Sequence, residues 1–322
     1  MYNAGIIGMG IYMPEIIRKN DFWNGLKIVG YNKDVSNLFI GIDERRIFPE
    51  HMHSSDGELI AAKNAIQDAN LNPEDIDLVI VNSMLPDHLT PGNATLIQHK
   101  LGLKNAGAWN LDTFCSSFVT MIIVASNLVM CGTFKNILLV TSSHYSKIAT
   151  PYHYLTPAMG DGVGSAIIGR VSSENGFISS FCHANGEYHN SFAINYSHKS
   201  SKRELQVVDE ELSRSTKNEI QIVTEVVNKT LKKPNLNISD IDMFISHQPF
   251  HWIPFAWQEA LGISQSKSHL TYYKYGNIAS ASVPVNLYEA RKLGKIKEKS
   301  LVLLYSPGAG MNHSCALLQW GE

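Results

Sequence analysis

With 322 residues, 44% of them apolar and 17% charged, the chain can bury one large core or two intimately packed halves, and its composition excludes disorder. A formal net charge of -2 gives no electrostatic basis for binding nucleic acid or an anionic membrane. The cysteines Cys115, Cys131, Cys182 and Cys315 are widely spaced and form no CxxC pair, which argues against a zinc site or a disulfide framework and for a reducing, cytoplasmic compartment.

In chain order, the opening MYNAGIIGMGIYMPE lacks the basic segment, apolar run and small-residue cleavage site of a signal peptide, and reads as a first strand and turn. An amphipathic helix is predicted over Gly57 to Ala69, then a buried strand over Asp75 to Val81 and a helix from Thr95 to Leu101. A short strand leads into a helix opening near Cys115, and Ile137-Leu-Leu-Val140 is the next buried strand. From Phe118 to Met130 this helix is almost wholly apolar, too short to span a membrane and without a polar face, so it belongs in a core covered on more than one side.

The same order then recurs. A helix over Thr216 to Leu231 precedes a strand over Asp240 to Ser246, followed by a helix over Pro254 to Leu261, a short strand leading into a helix near Ser280, and a strand Val302-Leu-Leu-Tyr305. DIDLVIV at 75–81 and DIDMFIS at 240–246 lie 165 positions apart, and the same offset relates Cys115-Ser-Ser-Phe118 to Ser280-Ala-Ser-Val283 and the ILLV strand to VLLY. Three equal offsets indicate an internal duplication, divided here as residues 1–170 and 171–322. Two such halves around central helices predict a layered α/β fold with predominantly parallel sheets. The polar stretch from Asn185 to Ser215 reads as a surface excursion or substrate cap, with a linker as the alternative.

Cysteine in mid-chain is commonly a small buried hydrophobe, the reading that suits Cys131 and Cys182. Cys115 differs because it follows a strand-like stretch, Trp109 to Phe114, and opens a buried helix whose free N–H groups would favour a thiolate. Under the duplication, His247 stands where the earlier copy has Asn82, and Asn277 stands where it has Asp112. Three equivalent loop mouths would then offer Cys115, His247 and Asn277, a set suited to acyl transfer. Thiolate is a good nucleophile and leaving group toward a thioester, whereas an enolate or tetrahedral oxyanion needs neutral donors.

Met159-Gly-Asp-Gly-Val-Gly-Ser165 lacks the Lys-Ser/Thr of a phosphate-binding loop and reads as glycines permitting tight turns beside a strand. Ser306-Pro-Gly-Ala-Gly-Met311 follows the last buried strand, where its backbone N–H groups would complete an oxyanion hole or simply make a turn. His51, His53 and His88 have no partners at metal-ligand spacing. Lys292, Lys295, Lys297 and Lys299 form a basic cluster, read as a solvated face or, less simply, a dock for an acidic carrier protein or a phosphate.

At Asp112-Thr-Phe-Cys115-Ser-Ser-Phe118, His247-Gln-Pro249 and Gly276-Asn-Ile-Ala-Ser-Ala-Ser-Val-Pro284, the chain resembles the β-ketoacyl-acyl carrier protein synthase III family of the thiolase-like superfamily. Gly41-Ile-Asp-Glu-Arg-Arg-Ile47, Gly160-Asp-Gly-Val-Gly164 and Gly308-Ala-Gly310 extend the likeness over essentially the whole length. The resemblance implies a five-layered α/β/α/β/α fold of two duplicated halves, a homodimer, and catalytic roles for Cys115, His247 and Asn277. It places oxyanion donors at the backbone N–H groups of Cys115 and Ala309. It implies no permanently bound cofactor or metal. A coenzyme A or phosphopantetheine thioester would be the substrate, its acyl group passing from acyl-CoA or acyl-carrier protein to Cys115 and then to a malonyl thioester, in fatty-acid-like or secondary-metabolite biosynthesis.

The chain departs from the family pattern at the thioester handles. Phe250 replaces the asparagine that touches the pantetheine arm, Trp252 replaces a basic residue used in carrier docking, and Asn37-Leu-Phe-Ile40 lacks the tryptophan and arginine that sandwich the adenine. Both substitutions mark Phe250 and Trp252 as candidates for the substrate channel. An intact trio with altered handles points to a specialised condensing enzyme. Acyl transfer to a small nucleophile or carrier without decarboxylation is an alternative. A non-catalytic partner subunit is a third, disfavoured because degenerate members of the superfamily usually lose the cysteine or histidine.

Overall fold

A computed structural model describes residues 2–29, 31, 34–196 and 203–321. In chain order, the elements are β1 (Tyr2–Tyr12), β2 (Ile16–Lys19), β3 (Glu44–Ile47), α1 (Ser54–Asp68), β4 (Leu78–Ser83), α2 (Asn93–Lys100), β5 (Gly107–Asn110), α3 (Ser117–Met130), β6 (Ile137–His144) and β7 (Asp161–Ser172). They continue with β8 (Gly176–Ala184), β9 (Phe192–Tyr196), β10 (Arg203–Val207), α4 (Asp209–Lys232), β11 (Met243–Ser246), α5 (Ile253–Leu261), α6 (Tyr272–Tyr275), α7 (Ser282–Lys292), β12 (Leu301–Gly308) and β13 (Asn312–Gln319).

The duplication is visible in the hydrogen bonding. Left-handed Asn70 and Asn235 follow α1 and α4. In the short turns that come next, the Asn72 N–H donates to Asp75 Oδ2 at 2.8 Å and the Asn237 N–H to Asp240 Oδ2 at 2.8 Å. Asp77 Oδ2 then accepts the Asn136 N–H at 2.9 Å, and Asp242 Oδ2 accepts that of Leu301 at 2.8 Å. The two aspartates of each DID motif therefore cap the turn and pin the neighbouring strand. That pinning sets the register, which pairs Leu78 with Ile137 and Met243 with Val302.

One sheet has the order β1-β7-β6-β4-β5 and the other β11-β12-β13-β8. Between them lie α3 and α7, whose Phe118, Ile122, Val283 and Leu287 share one apolar cluster with residues of both sheets. Helices α1 and α2 cover the outer face of the first sheet, and α4 and α5 that of the second, completing the five layers. The sheets are mixed, not predominantly parallel. The pairs β4–β5, β4–β6 and β11–β12 are parallel, whereas β1–β7, β6–β7, β12–β13 and β8–β13 are antiparallel. A strand held between two helical layers is apolar on both faces whatever its direction, so a continuous apolar run does not report the direction of pairing.

The stretch Asn185 to Ser215 is ordered where described, and its residues 197–202 lie outside the described residues. It forms the β9–β10 hairpin and the first turns of α4, which begins at Asp209, earlier than the apolar period suggests. Asp209, Glu210 and Glu211 favour that start because carboxylates oppose the positive end of the helix dipole. Phe192, Leu205 and Val207 of the hairpin pack on a cluster that contains Cys115 and Tyr145. No helix among the described residues is long and apolar enough to cross a membrane.

Candidate active site

Cys115 lies in a short 3-10 turn, Phe114–Ser116, directly ahead of α3. The preceding Phe114 is left-handed, with φ 54°, a conformation costly for a bulky side chain and found where surrounding contacts enforce it. Those contacts are explicit. The Phe114 N–H donates to Asp112 Oδ1 at 2.7 Å, Ser117 Oγ donates to the Phe114 carbonyl at 2.7 Å, and Ser306 Oγ of β12 donates to the Cys115 carbonyl at 2.9 Å. A side chain at Gly308 would overlap Thr113 O and Ser116, so the end of β12 lies flush against this elbow. That close approach brings the turn at Ala309 beside Cys115.

His247 follows β11 directly, and its N–H donates to the Tyr305 carbonyl at 3.0 Å. The next residue holds the loop, since Gln248 Oε1 accepts the N–H groups of Thr271 at 3.0 Å and Tyr272 at 3.1 Å. Asn277 is tied by its own backbone to the first half: its N–H donates to Ala158 O at 2.7 Å, and its carbonyl accepts the Gly160 N–H at 3.0 Å. Gly160 and Gly164 serve this junction rather than a turn. Gly160 runs directly into β7, which contains Gly164; side chains at the two positions would overlap the Tyr275 carbonyl and Pro284, respectively.

Cys115, His247, Asn277 and Ala309 line one cavity. Phe250 lines it too and also borders an outer cavity, shared with Asn37, Ile40, His251 and the 44% exposed Trp252. Leu155, Ala158 and Leu212 border both cavities as Phe250 does, and Trp252 borders the outer one. Burial lowers the His247 pKa to about 3, so the imidazole is neutral at physiological pH. Burial, with smaller contributions from Asp112 and Glu219, raises the Cys115 thiol well above the usual range, while the Tyr145 phenol that hydrogen-bonds it acts in the opposite sense. The expected stabilisation of a thiolate by the helix start is therefore outweighed, and the resting group is a thiol.

Tyr145, Ser191 and Glu219 line the same cavity and went unnoticed in the sequence. Tyr145 was accessible through the repeat, because residue 145 is the counterpart of Gly310 in the turn after β12. Glu219 sits mid-helix among ordinary charged neighbours and carries no comparable signal.

The duplicated positions form a second constellation. Ser280, Asn82 and Asp112 correspond to Cys115, His247 and Asn277, and all three line a separate cavity. Here the groups bond one another: Ser280 Oγ donates to Asn82 Oδ1 at 2.9 Å, Asn82 Nδ2 donates to Asp112 Oδ1 at 3.1 Å, and Thr141 donates to Ser280. Ala279, before Ser280, has φ 45°, matching Phe114 before Cys115.

The basic cluster faces elsewhere. Lys292 approaches Asp68 at 3.7 Å, Lys299 pairs with Glu174 at 2.8 Å and Lys295 contacts His269, with Lys292 closing the end of α7 remote from Asn277. Among the described residues no three metal-ligating side chains cluster.

Comparison with known proteins identifies the family and the fold. Residues 110–186 match the model of 3-oxoacyl-[acyl-carrier-protein] synthase III, and residues 231–320 match that of its C-terminal region. The β-ketoacyl-[acyl-carrier-protein] synthase III of Oceanobacillus iheyensis is 33% identical over 322 residues, covering 99% of this chain and 100% of its own. That of Caldanaerobacter subterraneus is 32% identical, covering 99% and 98%. The crystal structure of 3-oxoacyl-[acyl-carrier-protein] synthase III from Aquifex aeolicus superposes with a TM-score of 0.89 at 27% identity, covering 98% of this chain and all of the other. On this evidence the chain belongs to the β-ketoacyl-[acyl-carrier-protein] synthase III family, with its thiolase-like fold.

Proposed function

We propose that the protein is a condensing enzyme that carries an acyl group on Cys115 and joins it to a malonyl thioester with loss of carbon dioxide. The observation that carries this reading is the convergence of Cys115, His247, Asn277 and the Ala309 turn on one buried cavity. In the loading step Cys115 Sγ attacks the donor carbonyl while neutral His247 accepts the thiol proton. The bond from carbonyl carbon to carrier sulfur then breaks, and the proton passes to the leaving thiolate. Backbone N–H groups of Cys115 and Ala309 stabilise the intervening oxyanion.

In the second step the acceptor loses carbon dioxide, and the electron pair of the broken C–C bond becomes an enolate. His247 Nε2–H and the Asn277 amide donate to its oxygen; Asn277 is oriented for this because its Oδ1 already accepts the Ala279 N–H. The enolate carbon attacks the Cys115 thioester, the carbonyl carbon–Sγ bond breaks, and the Cys115 thiolate takes up from water the one proton that the condensation consumes. Donors carried on coenzyme A or on a carrier protein would enter past Trp252 and Phe250. An edge strand, β5, carrying the exposed Trp109, supports a homodimer, since an unpaired edge seeks a partner strand. Four free thiols suit a reducing compartment such as the cytoplasm.

Intact-mass spectrometry after incubation with acyl-CoA and acyl-carrier donors tests the first step. Acylation is expected on the wild type and absent from C115A; persistence in C115A overturns the assignment. Release of carbon dioxide on adding malonyl thioester selects condensation over simple transfer.

A further inference from the structure

Glu219 is 7% exposed, lines the cavity of Cys115, and its Oε2 is buried with no hydrogen-bond or charged partner among the described residues. Ser191 Oγ, fully buried, lines the same cavity and is likewise unpartnered. Glu211 Oε2, earlier on α4, is also buried without a partner, but its residue is only partly buried; the other fully buried carboxylate residues among those described, Glu58 and Asp161, are satisfied. Glu58, fully buried, accepts from Ser83 at 2.6 Å, Ser142 at 2.6 Å and Asn93 at 2.8 Å. Asp161 accepts the Phe48 N–H at 2.8 Å and that of Ser146 at 3.0 Å. Ser54, which precedes Glu219 by the repeat offset, donates to Leu85 O at 2.7 Å and contacts His144 Nδ1 at 3.1 Å.

An unpaired buried carboxyl is destabilising, and the buried residues that follow it on α4 are Val223, Val226, Val227, Thr230 and Leu231. Any apolar residue at 219 would pack there more favourably. Burial raises the Glu219 pKa to about 8, the mark of a carboxyl awaiting a partner the fold does not supply. Among the described residues no lysine or arginine lines the cavity, which leaves the place of a positive charge to a ligand.

We propose that Glu219 and Ser191 form a subsite for an ammonium group on the acyl chain delivered to Cys115, making an amino-acyl thioester the preferred donor. This rests on the acyl-transfer reading above and specifies its substrate class. An ammonium ion supplies the missing charge and donates to both unpartnered oxygens, whereas an alkyl terminus leaves them unsatisfied.

The test compares β-alanyl-coenzyme A with its near-isosteres butyryl- and 3-hydroxypropionyl-coenzyme A, and a longer pair, ε-aminocaproyl with heptanoyl. Loading of Cys115 is followed by intact mass on the wild type, E219Q and S191A. Binding is measured by calorimetry on C115A with and without E219Q, with folding of each variant checked by thermal melting. Amino-acyl donors should exceed their alkyl counterparts on the order of tenfold or more, the scale of one charge-assisted hydrogen bond. The ratio should collapse toward one in E219Q and fall in S191A. Equal or alkyl-favouring loading, a preference that survives E219Q, or a stronger preference for the hydroxyl donor overturns the proposal. If no donor acylates the wild type, the acyl-transfer reading fails by itself, and calorimetry on C115A still decides the ammonium pairing.

Discussion

Asn277 Oδ1 accepts the backbone N–H of Ala279 at 2.9 Å, as Asp112 Oδ1 accepts that of Phe114 at 2.7 Å. The oxygen is occupied by the turn, so the amide N–H groups are left to face the cavity. A carboxylate makes the same turn at Asp112. N277D should therefore fold with a melting temperature near that of the wild type and still load Cys115. Its condensation should drop on the order of a hundredfold or more, because a donor to the enolate has become an acceptor. Carbon dioxide release measured against acylation by intact mass separates the two effects.

The raised Cys115 pKa predicts slow, steeply pH-dependent reaction with a simple electrophile. Alkylation of the Cys115 peptide by iodoacetamide should keep climbing through pH 10 without a plateau. A plateau at neutral pH would indicate a preformed thiolate. Because His247 stays neutral down to about pH 3, loading by acyl donors should show no inflection at the ordinary histidine pKa.

Stability offers an independent reading of Glu219. Its pKa in the fold, about 8, lies above that of an unfolded glutamate, so the folded state binds the extra proton. That contribution is fully present below the unfolded pKa and is lost as pH rises through about 8. The ionisable groups lining the same cavity are Cys115, Tyr145 and His247; the first two are raised and the last is lowered, so none of them masks this window. Relative to wild type, E219Q should melt higher at pH 9 than at pH 5, by an amount worth a few kcal/mol at the upper limit. Equal differences at both pH values would place Glu219 in contact with an internal cation.

Phe250 borders both cavities and Trp252 only the outer one. F250N should remove bulk from that boundary and change which acyl chains load, visible as altered ratios among donors. W252R should act chiefly on KM for carrier-bound donors, with small coenzyme A donors less affected. Unchanged donor selectivity in both variants argues against a gate at this position.

Much of this arrangement was legible in the sequence because the repeat converts one-dimensional spacing into geometry. Once Asp75 and Asp240 are matched, the ends of β11 and β12 carrying His247 and the Ala309 turn fall into place, and so does Asn277, although it follows helix α6 where the earlier copy has strand β5. Strand direction was not legible, since β7 and β13 are buried on both faces along most of their length and turn back without a crossover helix. The glycines of 160–164 were misread for a related reason: their constraint comes from Tyr275 and Pro284, more than a hundred residues away. Glu219 was invisible because its oddity lies in what it fails to touch, which no local pattern encodes.

The matched elbows at Phe114 and Ala279 give the chain an internal control. Whatever both copies share, including the left-handed residue and the side-chain acceptor two positions before the turn's N–H, belongs to architecture. Whatever only one copy has belongs to chemistry. In the silent copy Ser280, Asn82 and Asp112 spend their hydrogen bonds on each other. Beside Cys115, His247 Nδ1, Ser191 Oγ and Glu219 Oε2 are left open. Reactivity here is an asymmetry in unfinished bonding laid over a backbone used twice.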